Sequence, residues 1–260
     1  MSAQNFNLLL DFSRRDIQAR YQTSHLGMLW MIITPLLTLG VYAFAFSTIL
    51  GVDKLTGSTT DPMDYVLALF SGLLVFFFFS EVVSSSPDLI SKKSNFVKKV
   101  VFPLPILVSS RVMAASLGFF VNIILLIVFI GIKNNGLPMS AVYLPIVLLP
   151  IVAMVLGLAF TISSFGVYLP DIGQITTPLM RMAFYLTPIV YPLTVIPEQY
   201  RAYFWINPMT SMVHHLKTVL IVGDAPNWIQ LGWFYLAAII ILCLGYALFS
   251  RLRSGFADVI

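Results

Sequence analysis

Few side chains in this 260-residue chain can carry charge or move a proton, and three of them lie where water is scarce. Glu81, Arg111 and Arg181 each fall inside or at the edge of a long apolar run. An unpaired charge at the centre of a bilayer costs at least ~3 kcal/mol, so such residues pair with one another or hold a charged ligand. Glu81 and Arg111 are suited to pairing, while Arg111 and Arg181 offer guanidinium groups to an anion such as a diphosphate. For Arg111 the rival reading is snorkelling of its head to lipid phosphate.

Other chemistry is poorly served. His214 and His215 are adjacent, so on a helix their rings point about 100° apart and cannot clamp one metal ion. His25 stands alone and no Cys or carboxylate cluster has ligand spacing, so no metal centre is expected. The chain has no GxxxxGKS or GxxxxGKT loop, no GxSxG elbow and no HExxH pair, which argues against ATPase, serine hydrolase or zincin activity. Glu198 and His214 leave open an acid–base centre near a membrane surface, of the sort an acyl- or glycosyltransferase needs. Cys243 is the one cysteine, which excludes an intramolecular disulfide and reads as a packing residue.

The elements that position these residues are membrane helices. Hydrophobic residues make up 58% of the chain and charged ones 10%, and the mean hydropathy is +0.91. Those values lie outside the range of soluble domains. Six apolar runs have the length of a bilayer-spanning helix: Met28 to Leu50, Tyr65 to Val83, Ile106 to Ile132, Val142 to Phe165, Ile175 to Leu193 and Ile229 to Phe249. The runs are continuous rather than alternating, which predicts an all-α integral membrane protein and not a barrel. Residues 1–260 read as a single domain without internal repeats.

Basic residues set the orientation. Arg14, Arg15, Arg20, Lys92, Lys93, Lys98, Lys99, Arg251 and Arg253 fall on one side, against Lys54, Lys133, Arg201 and Lys217 on the other. Lysine and arginine in short loops stay cytoplasmic, so both termini are expected inside. This asymmetry also explains the net charge of +4, and no nucleic-acid partner is needed. Residues 1–27 lack a small-residue cleavage site, so no removable signal is expected.

Three segments outside the spans have structure of their own. In residues 1–27, Phe6, Leu9, Leu10, Ile17 and Tyr21 recur at helical spacing opposite Arg14, Arg15, Asp16 and Gln18, predicting an amphipathic interface helix. It serves either as a lipid anchor or as a lever gripped by a partner. In residues 84–103, Ser86, Pro87 and Asp88 have the pattern of an N-cap, a first-turn proline and an acidic second position, predicting a short basic helix that ends before Pro103. Residues 194–222 are half apolar and broken by Pro197 and Pro208, too short for two full spans, and fit two half-helices dipping into the membrane.

The stretch RRDIQARYQTSHLGMLWMIITPLL, Arg14 to Leu37, resembles the opening of permease subunits of polysaccharide-exporting ABC transporters of the type 2 exporter class. Arg20, Tyr21, Leu26, Gly27, Trp30 and Pro35 stand at that family's basic, aromatic and proline positions. SNFVKKVVFPLPILV, YLPDI, TPIVYPLTVIP with INPMT, and the ending GFADVI are similar to further family motifs in the same order. Pro170 departs from the pattern, since many relatives carry arginine before the aspartate Asp171.

The resemblance implies a homodimer of six-span subunits in the bacterial inner membrane, coupled to two cytoplasmic ATP-binding subunits that hold the ATP and magnesium. It implies a lipid-diphosphate-linked polysaccharide as cargo, O-antigen ahead of teichoic acid or capsule. ATPase contact is carried to Arg14, Arg15, Asp16, Arg20, Tyr21, Pro87, Asp88, Asn95, Phe96, Lys98 and Lys99. A conduit lined from spans one and five is carried to Trp30, Tyr42, Phe46, Arg181, Tyr185 and Tyr191, and a re-entrant gate to Tyr200, Tyr203, Trp205, Asn207 and Pro208. Tyr and Trp suit a sliding glycan because a ring faces the C–H side of a sugar while its hydroxyl or N–H bonds. Aromatic residues also gather at membrane interfaces, and most of the 21 Phe are expected to be lipid-facing bulk. A secondary transporter would show intramembrane carboxylates and inverted repeats, neither of which is clear here.

Overall fold

The computed structural model describes residues 3–22, 24–45, 61–98 and 102–260, and every regular element in them is helical. Phe46, Lys99 and the last residues of the first expected span lie outside the described residues, as does the side chain of Tyr21. The long helices are α1 (Ala3–Tyr21), α2 (Trp30–Phe44), α3 (Pro62–Ser85), α5 (Pro105–Asn134), α6 (Leu144–Tyr168), α7 (Ile172–Tyr185) and α10 (Trp228–Leu252). Short helices α4 (Ser94–Lys98), α8 (Glu198–Ile206), α9 (Pro208–Lys217) and α11 (Phe256–Val259) complete the set.

Among the described residues five stretches are long and apolar enough to cross a membrane: Gly27–Phe44, Pro62–Ser85, Pro105–Asn134, Met139–Tyr168 and Trp228–Val259. The fifth expected run, from Ile175, instead forms α7, whose 14 residues stop at Tyr185. At 1.5 Å per residue that is about 21 Å, short of a ~30 Å hydrocarbon core. Pro188 and Pro192 deny amide donors to a continuing helix, which is why the apolar run outlasts it.

Helix α3 is the hub. Asp61 caps its start by accepting from the Met63 amide at 3.0 Å, and Pro62 sits where a missing N–H is harmless. Phe70, Leu73, Leu74 and Val82 are fully buried against the surrounding helices. The phenylalanines correct the lipid-bulk expectation, since Phe70, Phe78, Phe79, Phe119, Phe160 and Phe249 lie in the core. Phe78 stacks on Phe119 with ring centroids 4.8 Å apart, joining α3 to α5.

Helices α6 and α10 cross in close contact because glycines meet there. A Cβ built on Gly157 would lie 2.6 Å from the Leu242 backbone, and one on Gly245 would strike Gly157 in turn. Small residues that let backbones approach are the usual glue between membrane helices. Cys243, on the same helix, faces outward rather than packing inside.

The cap expected at Ser86 is absent. Helix α3 runs on to Ser85, and the Ser86 hydroxyl donates back to Val82 O at 2.7 Å. The chain then turns through residues 87–90 and becomes helical again at Ser91–Lys93 and α4. Pro87 is buried in that turn against Gly166 of α6, where an added Cβ would come within 2.6 Å of the Pro87 Cα.

Candidate functional site

Helix α1 and the turn after α3 are joined at the end of the molecule where the basic residues gather. Phe12 of α1 is buried against Phe96 and Phe102, at centroid distances of 5.4 and 5.2 Å. Lys93 reaches Asp16 at 3.1 Å and lies over the Phe12 ring at 5.7 Å. Ser13 is also buried and its hydroxyl donates to Leu9 O and to Ser110 O on α5. Phe12 and Ser13 escaped the sequence reading because they lie beside, not within, the apolar stripe of Phe6, Leu9, Leu10, Ile17 and Tyr21.

One turn along, Glu81 of α3 is shared. Arg20 of α1 pairs with it, and Arg111 of α5 reaches it at 3.5 Å while donating to Ser85 Oγ at 3.0 Å. Three helices that are distant in sequence are thus tied by one carboxylate, and Arg111 is paired instead of snorkelling. A cleft of about 340 Å³ opens beside this knot, walled by Arg20, Ser84, Lys92, Lys93 and Arg111 with Asp16 and Asp88.

The residues expected to touch an ATPase therefore divide into two groups. Asp16, Arg20, Pro87 and Phe96 are engaged inside the chain, which their reading as surface contacts did not foresee. Arg14, Arg15, Asp88, Asn95 and Lys98 are exposed, Asp88 with Lys92 as an i,i+4 pair. The exposed set flanks the joint between α1 and the turn, so a push on that surface meets packed side chains immediately.

Arg181 and Tyr185 of α7 meet in a second hollow, of about 350 Å³, beside α3. Ser80, Ser84 and Thr177 line it as well, and Phe76 and Phe184 pack at its side with centroids 5.0 Å apart. A guanidinium with three hydroxyls can hold a phosphate or the hydroxyls of a sugar. The serines were hidden in the sequence inside an otherwise apolar span, although Phe76, Ser80 and Ser84 at four-residue steps form one stripe. Ser84 also lines the basic cleft, so the two hollows adjoin at that residue.

The remaining conduit residues are dispersed. Trp30 lines a hollow between α2, α3 and α5 and donates to Ser24 Oγ at 2.8 Å. Tyr42 packs against the core, and Phe46 is outside the described residues. Tyr191 lies at the far end of the molecule, beyond α7.

At that far end the chain from Leu186 to Val190 is irregular, and every carbonyl in it but that of Thr187, which accepts from the Ile189 amide, is taken up by a side chain. Asn207 Nδ2 donates to Leu186 O at 3.2 Å and to Thr187 Oγ1 at 2.9 Å. Lys217 Nζ donates to Pro188 O at 3.1 Å and Ile189 O at 3.2 Å. The Tyr65 hydroxyl donates to Val190 O, and that of Tyr191 to Tyr185 O. Where a helix stops in apolar surroundings each orphan carbonyl needs a partner, and these side chains supply one for the end of α7.

Asn207 and Pro208 act locally as a cap. The Asn207 Oδ1 accepts from Met209 N at 3.0 Å and Pro208 occupies the first position of α9. Tyr200 and Tyr203 of α8 are exposed, and Trp205 meets His214 edge-on at 5.1 Å. Lys133 closes the far rim, bonded to both Asp61 and Asp64. The Asp61 carboxyl is held below the ordinary carboxylate range, first by the Met63 amide and then by Lys133. Among the described residues no three His, Cys, Asp or Glu side chains converge as metal ligands.

A multi-pass helical membrane protein with a side-chain joint at one end and a capped, broken helix at the other is the class that these features define. A family model described as ABC-2 type transporter matches residues 9–221, and the chain belongs to that family, whose members are membrane subunits of ABC transporters. It is 27% identical over 256 residues to an O-antigen export system permease protein RfbA of Klebsiella pneumoniae, covering 98% of this chain and 95% of the relative. The RfbA of Myxococcus xanthus is 26% identical over 97% of this chain and 95% of its own. The polysialic acid transport protein KpsM of Escherichia coli is 24% identical over 244 residues, 90% of this chain and 89% of that one.

Proposed function

We propose that this chain is the membrane subunit of an ATP-driven exporter that moves a lipid-diphosphate-linked polysaccharide, O-antigen first, across the bacterial inner membrane. Two copies form the pathway, and two separate cytoplasmic ATPase subunits supply the energy. The observation that carries the reading is the end-to-end likeness to O-antigen export permeases, with no nucleotide-binding loop in the sequence.

The geometry supports a route for force. Exposed Arg14, Arg15, Asp88, Asn95 and Lys98 take the push from the motor, and the Phe12, Phe96 and Phe102 cluster with the Arg20, Glu81 and Arg111 knot passes it to α3 and α5. The Arg181 hollow receives the diphosphate, and its tyrosine and hydroxyls meet the first sugars. Both termini lie in the cytoplasm, as the distribution of Lys and Arg requires. Helix α7 with the irregular segment after it completes a sixth crossing, and α8 and α9 dip back into the membrane as the outer gate carrying Tyr200, Tyr203 and Trp205.

The test is reconstitution with the partner ATPase and labelled lipid-linked glycan. Export should need ATP and stop when the catalytic glutamate of the ATPase is replaced, whereas dependence on a proton gradient would make the chain a secondary transporter. Arg181→Ala should reduce export while leaving the ATPase bound, and unchanged export would remove Arg181 from the pathway. Because KpsM is a polysialic acid transport protein, capsule is the competing cargo, with teichoic acid or a drug-like molecule behind it. Parallel assays with each glycan decide among them.

A further inference from the structure

The far end of the molecule holds a positive charge that neither the fold nor the proposed transport route answers. Lys217 is largely buried at the end of α9, and its ammonium donates to two neutral carbonyls, Pro188 O and Ile189 O. An ammonium has three N–H groups, so one donor and the whole net charge remain. Among the described residues no carboxylate comes within 4.0 Å of it, and the acid nearest in the lining, Asp64, is bonded to Lys133. A buried charge satisfied only by neutral dipoles is an unfavourable arrangement that an anion would relieve.

Beside Lys217 lies a cavity of about 560 Å³, the largest of those described around these helices. His214 stands on the same wall, while Ala68, Leu69, Val213 and Ile221 make most of the rest apolar. The cavity reaches the rim at Asp64, in the first turn of α3, and runs inward past Leu69. The hydroxyls in its lining, those of Tyr65, Tyr191 and Thr218, already donate to backbone carbonyls, so they have little left for a glycan. An apolar wall with one cationic corner is the complement of an amphiphile that carries an anionic head.

We propose that this cavity binds an anionic phospholipid from the outer leaflet, its phosphate on Lys217 and His214 and the start of an acyl chain along Ala68 and Leu69. The bound lipid would lie against the same segment, Pro188 to Leu193, whose carbonyls Lys217 and Tyr65 hold. It would therefore stabilise the broken end of α7, a structural role that does not depend on the identity of the cargo.

The experiment uses the purified full-length chain in micelles doped with phosphatidylcholine or with an equal amount of phosphatidylglycerol, and reads the thermal unfolding midpoint. Phosphatidylglycerol should raise the midpoint by ~2–4 °C over phosphatidylcholine. The increment should vanish in Lys217→Gln, which keeps an N–H donor for the carbonyls but no charge. It should also vanish in Ala68→Phe, which fills the cavity and leaves Lys217 in place. If Lys217→Gln does not fold, Ala68→Phe decides alone. An increment that survives in Ala68→Phe, no increment in the native chain, or one produced by a polyprenyl phosphate and not by phosphatidylglycerol overturns the proposal. Since no transport is measured, failure here is separate from failure of the export reading.

Discussion

Arg20, Glu81 and Arg111 join three helices at the basic end through side chains alone, whereas Asn207, Lys217 and Tyr65 at the far end reach for backbone carbonyls of one irregular segment. The two arrangements differ in what happens when they part. At the basic end Glu81 and Arg20 are about a third exposed, so water can replace either partner and the pairs can re-form in another register. At the far end the side chains hold backbone carbonyls, and in apolar surroundings a carbonyl that loses its partner costs free energy until it finds another. The basic end is therefore built to be rearranged and the far end to be kept, which suits a protein worked from one side.

Asn207 gives the largest expected effect, because it serves both sides of the far-end clasp at once. Asn207→Ala removes the cap of α9 and both bonds to Leu186 and Thr187, a loss of about 2–4 kcal/mol. Asn207→Ser retains a cap acceptor for Met209 N but carries no amide donor to Leu186 and Thr187, so it should fall by about half as much. Unfolding midpoints of the three purified proteins check the order. Equal and small losses would mean that the carbonyls find other partners, and the contrast between the two ends would fail.

Glu81→Gln should have an intermediate effect. It leaves Arg111, whose side chain is 18% exposed, beside Arg20 without a carboxylate. Allowing for screening at this partly wet site, the loss is about 1–2 kcal/mol. Adding Arg111→Met removes the stranded charge and should recover part of it. A double-mutant cycle on Glu81 and Arg111 measures the coupling, and a coupling near zero would break the claim that the knot joins α3 to α5.

The contrast also marks what could be read before the fold was seen. Five of the six expected runs coincide with helices long and apolar enough to cross a membrane, because hydrophobic length needs only local sequence. The Asn207–Pro208 pair reads from the sequence as part of a gate and not as a cap, and its bond to Thr187 depends on a turn that brings residues 20 positions apart together. Arg20 and Glu81 are 61 positions apart and nothing local marks them as partners, so Arg20 reads as a partner contact although its guanidinium, about a third exposed, is already paired within the chain. Ser86 misleads for the opposite reason: Ser–Pro–Asp is a good start signal, but α3 is still running when it arrives and the hydroxyl turns back to Val82. Ser80 and Ser84 are legible only once Arg181 is seen across from them.

Asp61 tests an ion pair at the far end, and the effect is the smallest. Its carboxylate accepts from the Met63 amide and pairs with Lys133 at 3.1 Å, and both hold its pKa below the ordinary value. A carboxyl depressed in the fold adds stability that is fully present above the unfolded value, near pH ~4, and is lost as pH falls through the folded one. Asp61→Asn keeps an oxygen for the Met63 amide but carries no charge to Lys133, so it should be slightly less stable than the native chain at neutral pH, and the difference should close as pH falls below about 4. Midpoints for the native chain and Asp61→Asn between about pH 3 and 7 decide the matter. Superimposable curves would show that the carboxylate acts as a cap alone, which would make the far rim, like the clasp beneath it, a device for satisfying the backbone.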